Sequence, residues 1–249
     1  MEKVNINDIS TLPAKGIDKD ATEDKTKELL KELETLQNIL FAQAKYSLLI
    51  VLQGMDASGK DGAIKKVFSG LNPMGCSVSA YKKPTEEEMA HDFLWRIHKQ
   101  VPQKGMIKIF NRSHYEDVLI QRVHEWINIE TVKMRFRHIN HFEELLVNSG
   151  TKVIKFYLHV SQNEQIERLT ERLHDPEKMW KYNPNDLVES KRWGDYMDAY
   201  NDVFNYCSPT LPWVIVPADK NWYKEYIIAD KIVKTLRDMK LEFPKRVNL

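Results

Sequence analysis

Gly54-Met55-Asp56-Ala57-Ser58-Gly59-Lys60-Asp61 sets two glycines and a lysine at the spacing G-x-x-x-x-G-K. That spacing suits a loop that curls until its backbone N–H groups converge on phosphate oxygens. Gly54, Ala57, Ser58 and Gly59 would supply that backbone, and Lys60 would reach over the loop to the phosphate being moved. A helix opening near Gly59 adds the partial positive charge of its N-terminus. Two residues depart from the pattern. The position after the lysine ordinarily carries Ser or Thr, whose hydroxyl touches magnesium, and here it is Asp61. Asp56 lies inside the loop, where a bare carboxylate repels phosphate. A hard cation bridging Asp56 to phosphate removes that conflict, so Asp56 is the candidate metal ligand, with magnesium expected and manganese the alternative. For Asp61 two readings stand, a share in catalysis or a cap on the following helix.

A second group follows Gly105-Met106-Ile107-Lys108-Ile109-Phe110, in the run Asn111-Arg112-Ser113-His114-Tyr115-Glu116-Asp117. The strand beside a phosphate loop usually ends in an Asp that orders magnesium through water, and Asn111 holds that place. Arg112 offers a two-pronged donor for phosphate. Glu116 and Asp117 are either site residues or acids favoured at the start of the next helix. Further on, Arg168 and Arg172 stand four apart, on one helix face, ahead of a break at Asp175-Pro176 and of Lys178, Trp180 and Lys181. They read as lid arginines that close on a transferring phosphate, or as partners of Glu164 and Glu167. Lys65 and Lys66 lie one and a half turns beyond Lys60 on the same helix, so at least one is expected to continue a cationic track. His138 and His141 have helical spacing but no third ligand, and are read as structural or surface residues.

These residues need a frame of strands and helices. Tyr46-Ser47-Leu48-Leu49-Ile50-Val51-Leu52-Gln53 is apolar without alternation, as expected of a strand covered on both faces. Further strands are predicted at 76–81, 106–110, 153–160 and 213–216. Helices are predicted at 60–70, 85–98, 113–124, 130–148, 162–173, 185–205 and 222–241. Their alternation predicts an α/β fold with a parallel sheet between helical layers. Residues 1–20 read as an extended or loosely attached arm, and 21–45 as a helix with Leu29, Leu33, Leu36 and Leu40 on one face. That stripe either packs on its own domain or forms a subunit contact. The expected division is an arm and helix over 1–45 and an α/β phosphate-loop domain over 46–249, with the lid around 165–185.

Composition sets the outer limits. Among 249 residues, 37 Lys+Arg face 36 Asp+Glu, which excludes a uniformly basic nucleic-acid binder. The charge is segregated, however: 60–112 holds ten basic residues against five acids, whereas 18–34 holds seven acids against four lysines. Two cysteines make no disulfide framework. The start lacks a signal-peptide core and the longest aliphatic run, 48–52, is too short to span a membrane, so a cytoplasmic protein is expected.

Several separated motifs together resemble the family-2 polyphosphate kinases. They are the loop at 54–61, Phe68-Ser69-Gly70-Leu71-Asn72-Pro73, Lys83-Pro84-Thr85, His91-Asp92-Phe93-Leu94-Trp95-Arg96, the run at 111–117, and Asp175-Pro176-Glu177-Lys178-Met179-Trp180-Lys181. The resemblance spans roughly residues 40–240. It implies a three-layer, thymidylate-kinase-like P-loop fold with a helical lid, and magnesium-assisted transfer of phosphate between inorganic polyphosphate and nucleotides. The nucleoside-diphosphate class carries Asp at the place of Asn111 and Asn-Arg where this chain has Glu116-Asp117. The form present here is similar to the class that accepts both AMP and ADP. On that resemblance Asp56, Lys60, Arg112, Arg168 and Arg172 are the catalytic candidates. Polyphosphate would meet Gly54, Ala57, Ser58, Gly59, Lys60, Asp61, Lys65, Lys66 and Lys178. An adenine or guanine nucleotide would meet His91, Arg96, Asn111, Arg112, Glu116 and Asp117. In-line transfer needs no protein nucleophile, so His114 is not expected to carry a covalent intermediate. A homo-oligomer without nucleic-acid or membrane partners is expected. The rival readings are an ATP-dependent nucleoside monophosphate kinase and a non-catalytic polyphosphate- or nucleotide-binding protein.

Overall fold

Five short strands of mainly apolar residues find one another in parallel: β1 (Ser47–Gln53), β2 (Cys76–Ala80), β3 (Ile107–Asn111), β4 (Thr151–His159) and β5 (Trp213–Pro217). In this computed structural model, which describes residues 3–207 and 211–245, they form one sheet in the order β2-β3-β1-β4-β5. All seven residues of β1 are buried, as its unbroken apolar run requires at the centre of a sheet covered on both faces. β1 pairs with β3 so that Leu52 lies opposite Asn111, and with β4 so that Gln53 lies opposite Tyr157. The segments leaving β1 and β3 therefore emerge side by side at the carboxyl edge, where open α/β sheets bind ligands.

The helices are α1 (Lys19–Gln43), α2 (Lys60–Phe68), α3 (Glu86–Met89), α4 (Trp95–His98), α5 (Ile120–Val123), α6 (Ile129–Asn148), α7 (Gln162–His174), α8 (Pro184–Ser190), α9 (Trp193–Tyr206) and α10 (Asn221–Asp238). Asp18 caps α1 by accepting from the Ala21 N–H at 2.7 Å. Leu29, Leu33 and Leu40 are buried, Leu36 is half-buried, and α1 lies along α10. The leucine stripe thus packs within the chain, not on a second subunit.

The arm before α1 is not loosely attached. Ile6 is fully buried, and the Val4 and Ile6 N–H groups donate to Asn205 and Asn201 of α9, each at 2.8 Å. Burial of one such side chain contributes about 1.5–3 kcal/mol. Three predicted helices are also interrupted. Within 85–98, the Asp92 carboxylate accepts from the Leu94 N–H at 2.9 Å, a local turn that separates α3 from α4. Within 113–124, Ser113 accepts from the Tyr115 N–H, and His114–Val118 winds as a 3-10 turn before α5 begins. Within 185–205, Ser190 donates to Gln165 and Arg192 to the Val123 carbonyl, and the chain breaks into α8 and α9 between those anchors.

Candidate active site

Gly54 sits at φ +151°, and a Cβ there would fall 2.9 Å from the Leu158 carbonyl oxygen and 2.8 Å from the Ser58 hydroxyl. Only glycine lets β1 turn into the loop at that point. Gly59, at φ +90°, closes the curl and opens α2. Lys60 folds back over this loop, donating to the carbonyls of Gly54 at 2.7 Å and Met55 at 3.0 Å. Its side chain is buried, and burial, then the nearby Arg112 cation, bring its pKa down to about 8.

Arg112 comes from the end of β3. Its backbone is left-handed, at φ +62°, a conformation that costs a non-glycine residue about 1–2 kcal/mol. Its N–H donates to the Leu52 carbonyl at 3.0 Å, so the kink is pinned to β1. The guanidinium then binds the Asp56 carboxylate on one side and Glu116, at 3.2 Å, on the other. Glu116, before all else, strengthens its hold on the proton. Gln53 steadies Glu116 with a 3.0 Å bond. The expected loop carboxylate and the expected arginine are thus direct partners.

Asn111 donates to Asp61 at 2.8 Å, and Lys181 reaches the other Asp61 oxygen at 3.1 Å. Partial burial pushes the Asp61 carboxyl up, yet those two bonds outweigh it and hold it below the usual range. Asp61 therefore joins α2, the end of β3 and the segment after α7.

Arg168 has its expected acid partner and also touches the loop. It bonds Glu164 at 2.8 Å, and it also donates to the Ala57 carbonyl of the loop at 3.1 Å and the Ala218 carbonyl after β5 at 2.9 Å. Arg172 pairs with Asp186 of α8 at 2.8 Å. The Asp186 carboxyl is raised by burial and then by the Asp56 charge, against the pull of Arg172. Among the described residues no group of three or more His, Cys, Asp or Glu side chains is arranged to hold a metal. Asp56, half-buried at the mouth, suits a hard cation that takes one protein carboxylate and completes its shell with phosphate and water.

Other predicted residues lie apart from this cluster. His91 stacks on Trp95 at 3.9 Å and lines a groove with Met134 and His138 of α6. Arg96 is buried against Asp117 at 3.6 Å and Glu88 at 3.5 Å, and donates to the Lys82 carbonyl. Asp117 is itself buried, and burial pushes its carboxyl up to about 6 against the pull of Arg96 and Arg135. Lys178 pairs with Glu171 and Asp175 at 3.0 Å each, along a groove of α7 that excludes the loop. Lys65 is exposed, while Lys66 lines a cavity with Arg168 and Lys220.

Two neighbours of the loop were not among the predicted site residues: Lys181, as the partner of Asp61, and Lys224, whose Nζ lies against Gly59. Lys224 had a readable signal. It occupies the stripe of α10 that continues as Ile228, Ile232 and Leu236, where a lysine is out of place.

The sequence profile of polyphosphate kinase 2 matches residues 16–244. The chain belongs to the polyphosphate kinase 2 family. The matched region of this polyphosphate kinase 2 takes in α1 and α10 as well as the loop and the segment after α7. An AMP/ADP-polyphosphate phosphotransferase of Meiothermus ruber is 45% identical over 218 residues, which cover 87% of this chain and 82% of that protein. An ADP-polyphosphate phosphotransferase of Rhodopseudomonas palustris is 40% identical over 229 residues, covering 87% and 79%. Among solved structures, the polyphosphate kinase 2 of Arthrobacter aurescens TC1 superposes with a TM-score of 0.87 at 38% identity, over 98% of this chain and 93% of that one.

Proposed function

We infer that this polyphosphate kinase 2 transfers the terminal phosphoryl group of inorganic polyphosphate to AMP and ADP, reversibly. The observation that carries the reading is the carboxylate inside the phosphate loop, Asp56, bound to Arg112 from the adjacent strand. A loop built for a nucleoside triphosphate alone has no need of that acid. The acceptor's terminal phosphate oxygen is already ionised and attacks the donor's terminal phosphorus in line. The bond from that phosphorus to its bridging oxygen breaks, and the shortened chain leaves with the electron pair.

The chain's own residues hold and orient the reactants. The backbone of Gly54, Ala57, Ser58 and Gly59 cradles the donor. Lys60 exchanges its carbonyl partners for phosphate oxygens. Arg112, already charged and fixed between two acids, faces the charge that spreads in the transition state, with Arg168 and Arg172 on the lid side. Magnesium, or manganese in its place, fits Asp56 and when bound would neutralise charge shared by donor and acceptor. Asn111 and Glu116 flank the acceptor side. A cytoplasmic setting accords with these substrates and with the free thiols of Cys76 and Cys207, and among the described residues no helix is long and apolar enough to cross a membrane. Assembly into a homo-oligomer is part of the same reading and is measured by light scattering.

The donor test separates this reading from an ATP-dependent monophosphate kinase. With AMP and magnesium present, long-chain polyphosphate is expected to yield ADP without any nucleoside triphosphate. Product formed from ATP but never from polyphosphate would overturn the reading.

A further inference from the structure

A helix on the surface of an α/β domain ordinarily carries apolar residues on its inner face alone. α6 carries them on two faces. Val132, Phe136, Ile139, Phe142 and Leu146 are buried in the core. On the outer side Met134 and Leu145 are 40% and 52% exposed, and His138 and His141 between them are exposed too. Together with Thr131 they follow one another at intervals of three, four, three and four residues, the alternation by which one helix meets another along a seam. The seam is recessed. All five residues line a groove of about 670 Å³, together with Phe93 and Leu94 from the segment before α4. Asp92 and Arg135 line it as well, one charge of each sign.

The charges beside the seam say what covers it. Arg137 stands just before His138 and Glu144 just before Leu145, so both flank the seam on one side, a heptad apart. Both are exposed, and neither enters an ion pair among the described residues. A second copy of α6 laid antiparallel on the first, about a two-fold axis, brings Arg137 of each copy to Glu144 of the other. The layers of the seam are then Met134 on Leu145 and His138 on His141, each repeated by the symmetry. In the histidine layers one imidazole donates and the other accepts. Slid by one heptad, the pair would set Arg137 on Arg137 or Glu144 on Glu144. A parallel pair would leave both charges unanswered, with Arg137 facing Phe142 and Glu144 facing Ser149. The charge pattern therefore selects one partner, one direction and one register.

We propose that the outer face of α6 is a dimer interface, through which the chain pairs with a second copy of itself in an antiparallel α6–α6 seam. This rests on the homo-oligomer read above and not on the choice of phosphate donor. It gives that assembly a face, and it gives His138 and His141, which have no part in phosphate transfer, a place at its centre.

The test is a charge swap read by sedimentation over a dilution series of the full chain. Arg137→Glu sets Glu against Glu144 at two places in the seam, and Glu144→Arg sets Arg against Arg137. Both side chains are exposed and free of bonds within the chain, so the fold has no stake in either change. Each single variant should dissociate at a concentration about tenfold or more above that of the wild type, since like charges now face one another. The double variant Arg137→Glu/Glu144→Arg restores both pairs with their signs exchanged and should associate as the wild type does. Single variants that associate like the wild type, or a double variant as weak as the singles, overturn the assignment. A wild type that stays monomeric throughout overturns the reading of a homo-oligomer as well. Assembly that no variant alters overturns this face alone.

Discussion

Lys60 and Lys224 approach the same loop from opposite ends of the chain, and both have a pKa near 8 because burial disfavours their charge. Phosphate held in the loop would favour the protonated form of Lys60 and restore its usual basicity. Below pH 8 that charge is in place; above it the free protein must first take up protons. KM for polyphosphate is therefore expected to climb as pH rises from about 8 to 9. Lys60→Ala should lose about a hundredfold or more of kcat with its fold intact, the cost of removing one preorganised donor from a developing charge. Turnover near wild type would show that Lys60 only braces the empty loop. Asp56→Asn should keep the shape of the loop while raising the magnesium needed for half-activity, and an unchanged magnesium titration would remove Asp56 from its role. The loop residues were legible because their spacing is local. Lys181 was not, since nothing near it in sequence says which loop acid it will meet, and Lys224 showed only as a lysine out of place in the apolar stripe of α10.

At the scale of elements, the end of β3 is the least regular part of the site and the most heavily braced. The Arg112 kink is followed by the 3-10 turn His114–Val118, whose Tyr115 hydroxyl donates to Glu143 of α6 at 2.7 Å. Glu143 is held down at about 2: burial alone would raise it, and Lys155 more than compensates. A carboxyl depressed in the folded state contributes stability above its unfolded pKa and loses it as pH falls toward the folded value. The window here runs from about pH 4.5 down to 2. Glu143→Gln should cost about 3–5 kcal/mol at neutral pH, because it leaves Lys155 buried and unpaired, and urea unfolding measures it. The same variant should lose its disadvantage as the wild type is acidified through that window. Hydrophobic period predicted α1, α6, α7 and α10 within a few residues. It failed at 85–98 and 113–124, where side-chain bonds from Asp92 and Ser113 to nearby N–H groups outbid helix continuation.

For the whole molecule, α1 packs along α10, and the arm is tied to the segment just before α10. Thr11 donates to Asp219 at 2.7 Å, and Asp219 accepts from the Ser161 N–H that opens α7. The arm is thus linked to α7, the helix that carries Arg168. Ile6→Ala should destabilise by about 2–5 kcal/mol, as for other fully buried aliphatic side chains, whereas a loose arm would tolerate it. The α/β architecture was legible from alternation alone, but the docking of the arm was not, because one isoleucine among polar residues has no period. Near-neutral charge likewise concealed a segregated surface. The central claim is that polyphosphate is the donor and AMP, then ADP, the acceptor. The most direct test is a time course with AMP, magnesium and long-chain polyphosphate, with nucleotides separated at each point. ADP should appear first and ATP after it, with no triphosphate supplied. No ADP from polyphosphate, under conditions where ATP does phosphorylate AMP, would contradict the account.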